Sequence, residues 1–360
     1  LPSEEIAGSV MPAISSDGKW VAFSSWASNL VVGDSNYARD EDVAEVATGR
    51  IKRLSLNSAG QQAANQQSTE AADSSEPSIS ADGRFVAFRS GADNLVAIPA
   101  GQRDNGVSDV FVRDRDTDRD GIYDEAGASR TFIVSVGPGR RQGTGASFSP
   151  QISLDGSFVV FASEASDLVY ANDPAGVLPP EGELVPVDEN EFPDVYLRDI
   201  VREITTLVSS TATGEAADGP SHSPALSGDS SVVAFYSEAP NLTPDPLQSR
   251  GNIFVRDLAG QHIEVVSVAS NGVSGNSPSY APTISGDGIY VAFHSYASNF
   301  VPDQNGSSDV FYHQRNVCST GDPEAGVVSR PVNDEVEPRA GPASSTVHDF
   351  NCSIFVPSGL

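Results

Sequence analysis

The sequence predicts an all-β chain, a β-propeller built from four-stranded antiparallel blades. Three observations carry this reading. One pattern recurs five times, each copy divides into four short β runs, and turn-forming residues separate the runs. The pattern reads MPAISSDGKWVAFSSWASNLV at 11–31, EPSISADGRFVAFRSGADNLV at 76–96 and SPQISLDGSFVVFASEASDLV at 149–169. It returns as SPALSGDSSVVAFYSEAPNLT at 223–243 and APTISGDGIYVAFHSYASNFV at 281–301. Its phenylalanine falls at Phe23, Phe88, Phe161, Phe235 and Phe293, at intervals of 58 to 74 residues. Self-similarity at such a period marks a repeat array in which each unit buries its faces against its neighbours.

Within a copy, the residues around Pro-x-Ile-Ser form a first short strand. Asp-Gly then supplies a turn, with glycine taking positive φ without steric cost at Gly18, Gly83, Gly156 and Gly288. In the fourth copy Ser230 stands at that place. The apolar run ending in Phe-x-Ser reads as a buried second strand. A third strand follows as DVFVRD at 109–114, DVYLRD at 194–199, NIFVRD at 252–257 and DVFYH at 309–313, with DVAEV at 42–46 as the weakest copy. A fourth run ends in Ser55, Ser135, Ser209, Ser267 and Ser329. Four-stranded units repeated around an axis protect their edges by radial packing, as propeller blades do.

These motifs, I-S-x-D-G-x-x-V-A-F-x-S, N-L-V and D-V-F-V-R-D, resemble the TolB-type, WD40-like propeller repeats of bacteria. The resemblance covers nearly the whole chain and implies the fold. For function it implies only a range, since such propellers serve as binding platforms, assembly hubs and appendages of enzymes.

The chain reads as a single propeller domain, 1–360, with blades at about 11–55, 76–135, 149–209, 223–267 and 281–329. The tail STVHDFNCSIFVPS at 345–358 aligns without a gap to 282–295, so 345–360 reads as the first two strands of a sixth blade. The expected ring is therefore six-bladed with its last blade incomplete. A five-bladed ring with a strand-like tail is the alternative. An incomplete blade would leave an unpaired edge open to strand pairing with another chain. The longest insertion, 170–193, carries five prolines and reads as a functional or covering loop.

Composition narrows the partners. With 49 acidic and 21 basic residues the formal net charge is −28, and Lys19 and Lys52 are the only lysines. Nucleic acid is excluded as a partner, because phosphate binding needs clustered Lys and Arg. No stretch approaches the roughly 20 apolar residues that span a bilayer. Leu1 is not an initiator methionine, so a removed leader or upstream segment is expected. Cys318 and Cys352 fall in turns on one face of adjacent units, and a disulfide between them is expected. Such a bridge fits an extracellular, cell-surface or periplasmic location.

The sharpest chemical motif is DTDRDGIYDE at 116–125. Alternating carboxylates followed by glycine let a short loop curl around one hard cation. Asp116, Asp118 and Asp120, the backbone carbonyl of Ile122, and Asp124 and Glu125 are the candidate Ca²⁺ ligands. The start matches an EF-hand loop, but Gly127 stands where that loop closes with glutamate. A weaker metal pattern, D-x-N-x-x-x-D, recurs as Asp34/Asn36/Asp40, Asp188/Asn190/Asp194 and Asp303/Asn305/Asp309. Its competing reading is structural, with Asn and Asp bonding the loop's own amides as Asx turns. Arg113, Arg198 and Arg256 recur at one strand position and read as forks reaching across to the neighbouring blade.

The five histidines show no zinc spacing, and no nucleophile elbow is present. The leading functional expectation is a non-catalytic, calcium-stabilised binding or assembly module of a larger protein, engaging a protein or glycan. The alternatives are a glycan or peptide hydrolase, or its gating propeller, and a structural subunit of an extracellular fibre or envelope.

Overall fold

The structure is a computed structural model that describes residues 8–65, 72–97, 104–170, 187–259, 262–301, 306–315 and 330–331. Among these residues it contains five four-stranded sheets, each with its strands in sequence order. Blade 1 holds β1 (Ser9–Ile14), β2 (Trp20–Ser25), β3 (Asp40–Glu45) and β4 (Ile51–Arg53). Blade 2 holds β5 (Ser74–Ile79), β6 (Phe85–Ser90), β7 (Asp109–Asp114) and β8 (Arg130–Ile133). Blade 3 holds β9 (Ser147–Ile152), β10 (Phe158–Ser163), β11 (Asp194–Asp199) and β12 (Ile204–Leu207). Blade 4 holds β13 (Ser221–Leu226), β14 (Val232–Ser237), β15 (Asn252–Asp257) and β16 (Ile263–Val265). Blade 5 holds β17 (Ser279–Ile284), β18 (Tyr290–Ser295), β19 (Asp309–Gln314) and β20 (Arg330–Pro331). All pairings are antiparallel, as the propeller expectation requires.

The turn chemistry behaves as the residues predict. Gly18, Gly83, Gly156 and Gly288 have φ of 70°, 81°, 74° and 69°, and Ser230 takes the same left-handed conformation at 58°. The serine of each Pro-x-Ile-Ser run braces its turn. Ser80 Oγ donates to Asp82 Oδ1 at 2.8 Å and accepts the amide of Phe85 at 2.9 Å. Blades 1, 3, 4 and 5 repeat this with Ser15, Ser153, Ser227 and Ser285. At Gly83 a Cβ would fall 2.3 Å from Trp20 Cδ1, so glycine is needed there for packing as well as for φ.

Each first strand is bulged at the same place. Met11, Glu76, Ser149, Ser223 and Ala281, each preceding a proline, have φ between 49° and 61°, and the register shifts beside every one of them. A bulge bends the strand and re-aims its side chains, at about 1–2 kcal/mol per left-handed non-glycine residue.

Consecutive blades are joined face to face. Val110 and Val112 of blade 2 pack with Val159, Phe161 and Tyr196 of blade 3. The next interfaces are built in the same way around Phe235 and Phe254, and around Phe293 and Phe311. The amide opening each first strand bonds the carbonyl just before the third strand of the preceding blade. The pairs are Ser74 with Arg39, Ser147 with Ser108, Ser221 with Pro193, and Ser279 with Gly251.

The described elements of blades 1 and 5 do not pack on one another in this manner. Val310 of blade 5 is 57% exposed, whereas its counterpart Val110 is 0% exposed. Burying a side chain of this size is worth about 1.5–3 kcal/mol. The predicted sixth blade at 345–360 lies outside the described residues.

One register differs from the expectation. The third strand of blade 1 starts at Asp40, which pairs with Ser25 as Asp109 pairs with Ser90. Aligning DVAEV at 42–46 with the other copies is therefore off by two residues. The cause is local: Glu41 and Asp42 stand where the other blades carry Val110 and Phe111, Val195 and Tyr196, or Ile253 and Phe254.

Candidate functional site

The acidic loop leaves β7 at Asp114 and returns at Arg130, the first residue of β8. Its base is clamped. Asp114 accepts two bonds from Arg84, at 2.8 and 2.9 Å. Arg115 is fully buried and lies over the Trp20 ring at 4.1 Å and over the Tyr123 ring at 4.8 Å. It also donates to Gly83 O at 2.7 Å and pairs with Asp124 at 2.7 Å. A guanidinium held this way fixes both ends of the loop.

Above the clamp the loop curls on itself. Asp116 accepts the amides of Asp120 at 3.2 Å and Gly121 at 3.0 Å, and Asp120 accepts the amide of Ile122 at 2.8 Å. Arg119 and Gly121 make the bend with φ of 62° and 85°. The result brings carboxylate oxygens of Asp116, Asp118 and Asp120 within 4.8 Å of one another. No ion pair to these three carboxylates occurs among the described residues. Burial first, then Asp116 and the Asp120 charge, push Asp118 above its ordinary value. Burial also opposes ionisation of Asp116, but the amide of Gly121 and further donors outweigh it and hold that carboxyl low. Three crowded carboxylates with oxygen-only chemistry suit a hard divalent cation.

The other predicted ligands of this loop are placed differently. Asp124 is turned to Arg115, which binds both of its oxygens. Glu125 lines a separate cleft of about 600 Å³ between blades 1 and 2, which Lys52, Arg53 and Arg113 also line. Ile122 is exposed, and its amide is held by Asp120.

The D-x-N-x-x-x-D residues are engaged with their own chain. Asn36 bonds Asp40 and Ala63 O and receives the amide of Ala38. Asn190 bonds Asp194 and Ala217 O and receives the amide of Phe192. Asn105 does the same with Asp109, Gly143 O and Val107. This is the Asx-turn use of the pattern. Asp188 accepts the Tyr196 hydroxyl at 2.9 Å, while Asp34 lies 3.4 Å from Arg53. Asp309 opens β19 opposite Ser295. Asp303, Asn305, Cys318 and Cys352 lie outside the described residues.

Sequence reasoning missed a second recurring pair. The aspartate opening each third strand accepts a bond from the serine just past the fourth strand. Ser55 reaches Asp40, Ser135 reaches Asp109, and Ser209 reaches Asp194. In blade 4 Ser267 reaches Asn252 instead. Burial pushes Asp109 and Asp194 up to about 7 in spite of these bonds. In blade 1 burial also raises Glu41 to about 8 and, with Asp40 beside it, Asp42 to about 7. The signal was present in the sequence as an Asp opening the third run and a Ser closing the fourth, and its two ends meet only through the hairpin of those strands.

Two of the three recurring arginines bridge blades. Arg113 donates to Leu56 O and Asn57 O of blade 1, and Arg256 donates to Ser210 O and Thr211 O of blade 3. Arg198 bonds Thr205 and lines a cleft of about 320 Å³ between blades 2 and 3. Among the histidines, His222 stacks on Tyr236 at 4.5 Å and His294 packs on Tyr280 at 5.6 Å. Among the described residues only Asp116, Asp118 and Asp120 form a cluster of metal-ligating type. No described helix is long and apolar enough to cross a membrane.

No family model matches the chain, and no curated protein matches it. Solved structures resemble it at low identity. A TolB candidate from Agrobacterium tumefaciens is 14% identical, with 86% of this chain and 77% of that one covered and a TM-score of 0.45. TolB from Acinetobacter baumannii is 13% identical, with coverage of 86% and 52% and a TM-score of 0.43. The acylaminoacyl peptidase of Pyrococcus horikoshii is 12% identical, with coverage of 90% and 39% and a TM-score of 0.43. The chain thus spans about half of the second protein and less of the third.

Proposed function

We propose that this chain is a non-catalytic binding or assembly module, an exported β-propeller stabilised by Ca²⁺ at the loop 116–125. The observation that carries the reading is the convergence of Asp116, Asp118 and Asp120 within 4.8 Å on a loop whose base is locked by Arg115. Asp116, Asp118 and Asp120 supply the charge, and water or backbone oxygen completes the shell that Ca²⁺ demands. Asp124 orients the loop through Arg115 rather than touching the ion. The bound ion would neutralise part of the −28 charge and fasten the outer hairpin of blade 2.

The binding reading is favoured over hydrolysis by where the perturbed carboxylates sit. Asp109 and Asp194 lie inside blades and are bonded to their own serines, which is a structural use. The partner, a protein or a glycan, would meet the loop-rich face. Thermal unfolding with Ca²⁺ and then with a chelator tests the ion's part. Binding to the folded state alone adds about 2.7 kcal/mol at a hundredfold excess over Kd. The expected shift in Tm disappears in Asp118→Ala and Asp120→Ala. An equal Tm with ion and chelator removes the calcium from this reading.

A further inference from the structure

Blade 3 breaks a pattern that blades 2 and 4 keep. Arg113, Arg198 and Arg256 occupy one register position, opposite Val86, Val159 and Val233. Arg113 and Arg256 each spend a nitrogen on two carbonyls of the preceding blade. Arg198 does not. Its one hydrogen bond among the described residues runs from Nη1 to Thr205 Oγ1 at 3.1 Å. The Thr205 hydroxyl donates to the carbonyl of Val136 as the Thr131 hydroxyl donates to that of Leu56, but Arg198 does not join it there as Arg113 does. Arg198 is 6% exposed, and with that one bond among the described residues most of its five N–H donors are left to the cleft it lines. A guanidinium with donors free at a cleft wall is a ready partner for an anionic head.

The surroundings of Arg198 supply a place for that anion. It lines the cleft of about 320 Å³ together with Arg130 and Arg140, and Phe132, Ile133 and Ile200 give the cleft apolar walls. Arg130 lies over the Phe132 ring at 4.7 Å. Three arginines in one cleft stand out in a chain of net charge −28. The volume is at the small end of the roughly 300–1,000 Å³ typical of ligand pockets. Glu203, also in the lining, pairs with the exposed Arg140. Its carboxyl is held below the ordinary value by Arg140 first, with Arg198 and Arg130 adding to the effect. A carboxylate at this mouth therefore feels all three guanidinium groups.

We propose that the cleft between blades 2 and 3 binds a small amphipathic anion, a carboxylate or phosphate head carrying an apolar body. The head is met by Arg198 and Arg130 and displaces Glu203 from Arg140, and the body lies against Phe132, Ile133 and Ile200. Glu203 is thus an internal competitor for the head. The site shares no residue with the acidic loop and stands independently of the calcium reading.

The test uses the whole chain and four probes of similar size in calorimetric titration: benzoate, phenyl phosphate, benzyl alcohol and benzylamine. Benzoate and phenyl phosphate distinguish the two head groups, and the alcohol and amine are the neutral and cationic controls. The expected result is saturable binding of at least one anion and none of the amine. Arg130→Gln, an exposed position that leaves the core intact, weakens that anion about tenfold, in line with two lost charge-assisted bonds. Glu203→Gln strengthens it several-fold. The proposal is overturned if neither anion saturates up to about 10 mM, above the ~1 mM range of weak complexes. It is equally overturned if the amine binds as well as the anions, or if Arg130→Gln and Glu203→Gln, with unchanged Tm, leave the affinity untouched.

Discussion

Ser135 donates its hydroxyl to Asp109 Oδ1 at 2.6 Å, tying the residues just past β8 to the first residue of β7. The same oxygen of Ser135 accepts the amide of Val110 at 3.1 Å. One small side chain therefore closes the outer hairpin of the blade, and the arrangement recurs in blades 1, 3 and 4. In blades 1, 2 and 3 it leaves a carboxylate buried, and this has consequences for stability.

Stability should fall as pH rises from 5 to 8. Burial raises Asp109, Asp194 and Asp42 to about 7 and Glu41 to about 8. A folded-state value above the unfolded one means the native protein holds the extra proton. Its contribution is complete below the ordinary carboxylate range near 4 and is lost as pH passes through about 7 to 8. Thermal unfolding across this window should give a Tm lower at pH 8 than at pH 5 by a few degrees. A Tm that rises over the window would contradict the assignment.

Ser135→Ala should cost about 1.5–3 kcal/mol at pH 8, the range for hydrogen bonds to charged groups. The loss should shrink toward pH 5, because the hydroxyl favours the ionised form of Asp109 and matters less once that carboxyl is protonated. Denaturant unfolding at the two pH values measures the difference. An equal loss at both would mean that Asp109 does not titrate in this window.

Gly83→Ala and Gly60→Ala separate packing from backbone conformation. Both glycines have φ near 80°, but a Cβ at Gly60 meets nothing within 4 Å, whereas one at Gly83 meets Trp20. Gly60→Ala should lose about 1–2 kcal/mol from the left-handed conformation alone. Gly83→Ala should lose a further ~1–3 kcal/mol from overpacking between blades 1 and 2. Equal losses would show that the Trp20 contact yields freely.

Arg113→Lys should destabilise the chain by about 1–3 kcal/mol despite keeping the charge. The guanidinium fork reaches Leu56 O, Asn57 O, Thr131 and Ser129 at once, and an ammonium cannot span them. Chemical denaturation measures the loss. A neutral outcome would reduce the inter-blade fork to incidental contact.

Much of this molecule was legible in the sequence because its signals are local. The turn at Ser15, Asp17 and Gly18 needs only five residues, and it is present in every blade in the same form. The Asn36–Asp40 and Asn190–Asp194 pairs were readable as Asx turns for the same reason. What the sequence does not announce arises from competition over distance. Asp124 has the spacing of a cation ligand, yet the buried Arg115 claims it, and no local pattern announces that Arg115 is buried between Trp20 and Tyr123. Glu41 and Asp42 erase the apolar alternation that would have set the register of β3. Nothing in DVYLRD separates Arg198 from Arg113. The difference arises in the loop at 137–141, where the chain passes Arg198 without offering it carbonyls.

The calcium site is the central functional claim, and its most direct test is calorimetric titration of the whole chain with Ca²⁺ and with Mg²⁺. One saturable Ca²⁺ site per chain is expected, lost in Asp118→Asn and in Asp120→Asn. Asp124→Asn, which breaks the pair with Arg115, should weaken the fold and still leave one site. No saturable binding of Ca²⁺, or binding that survives both Asp118→Asn and Asp120→Asn unchanged, would contradict it.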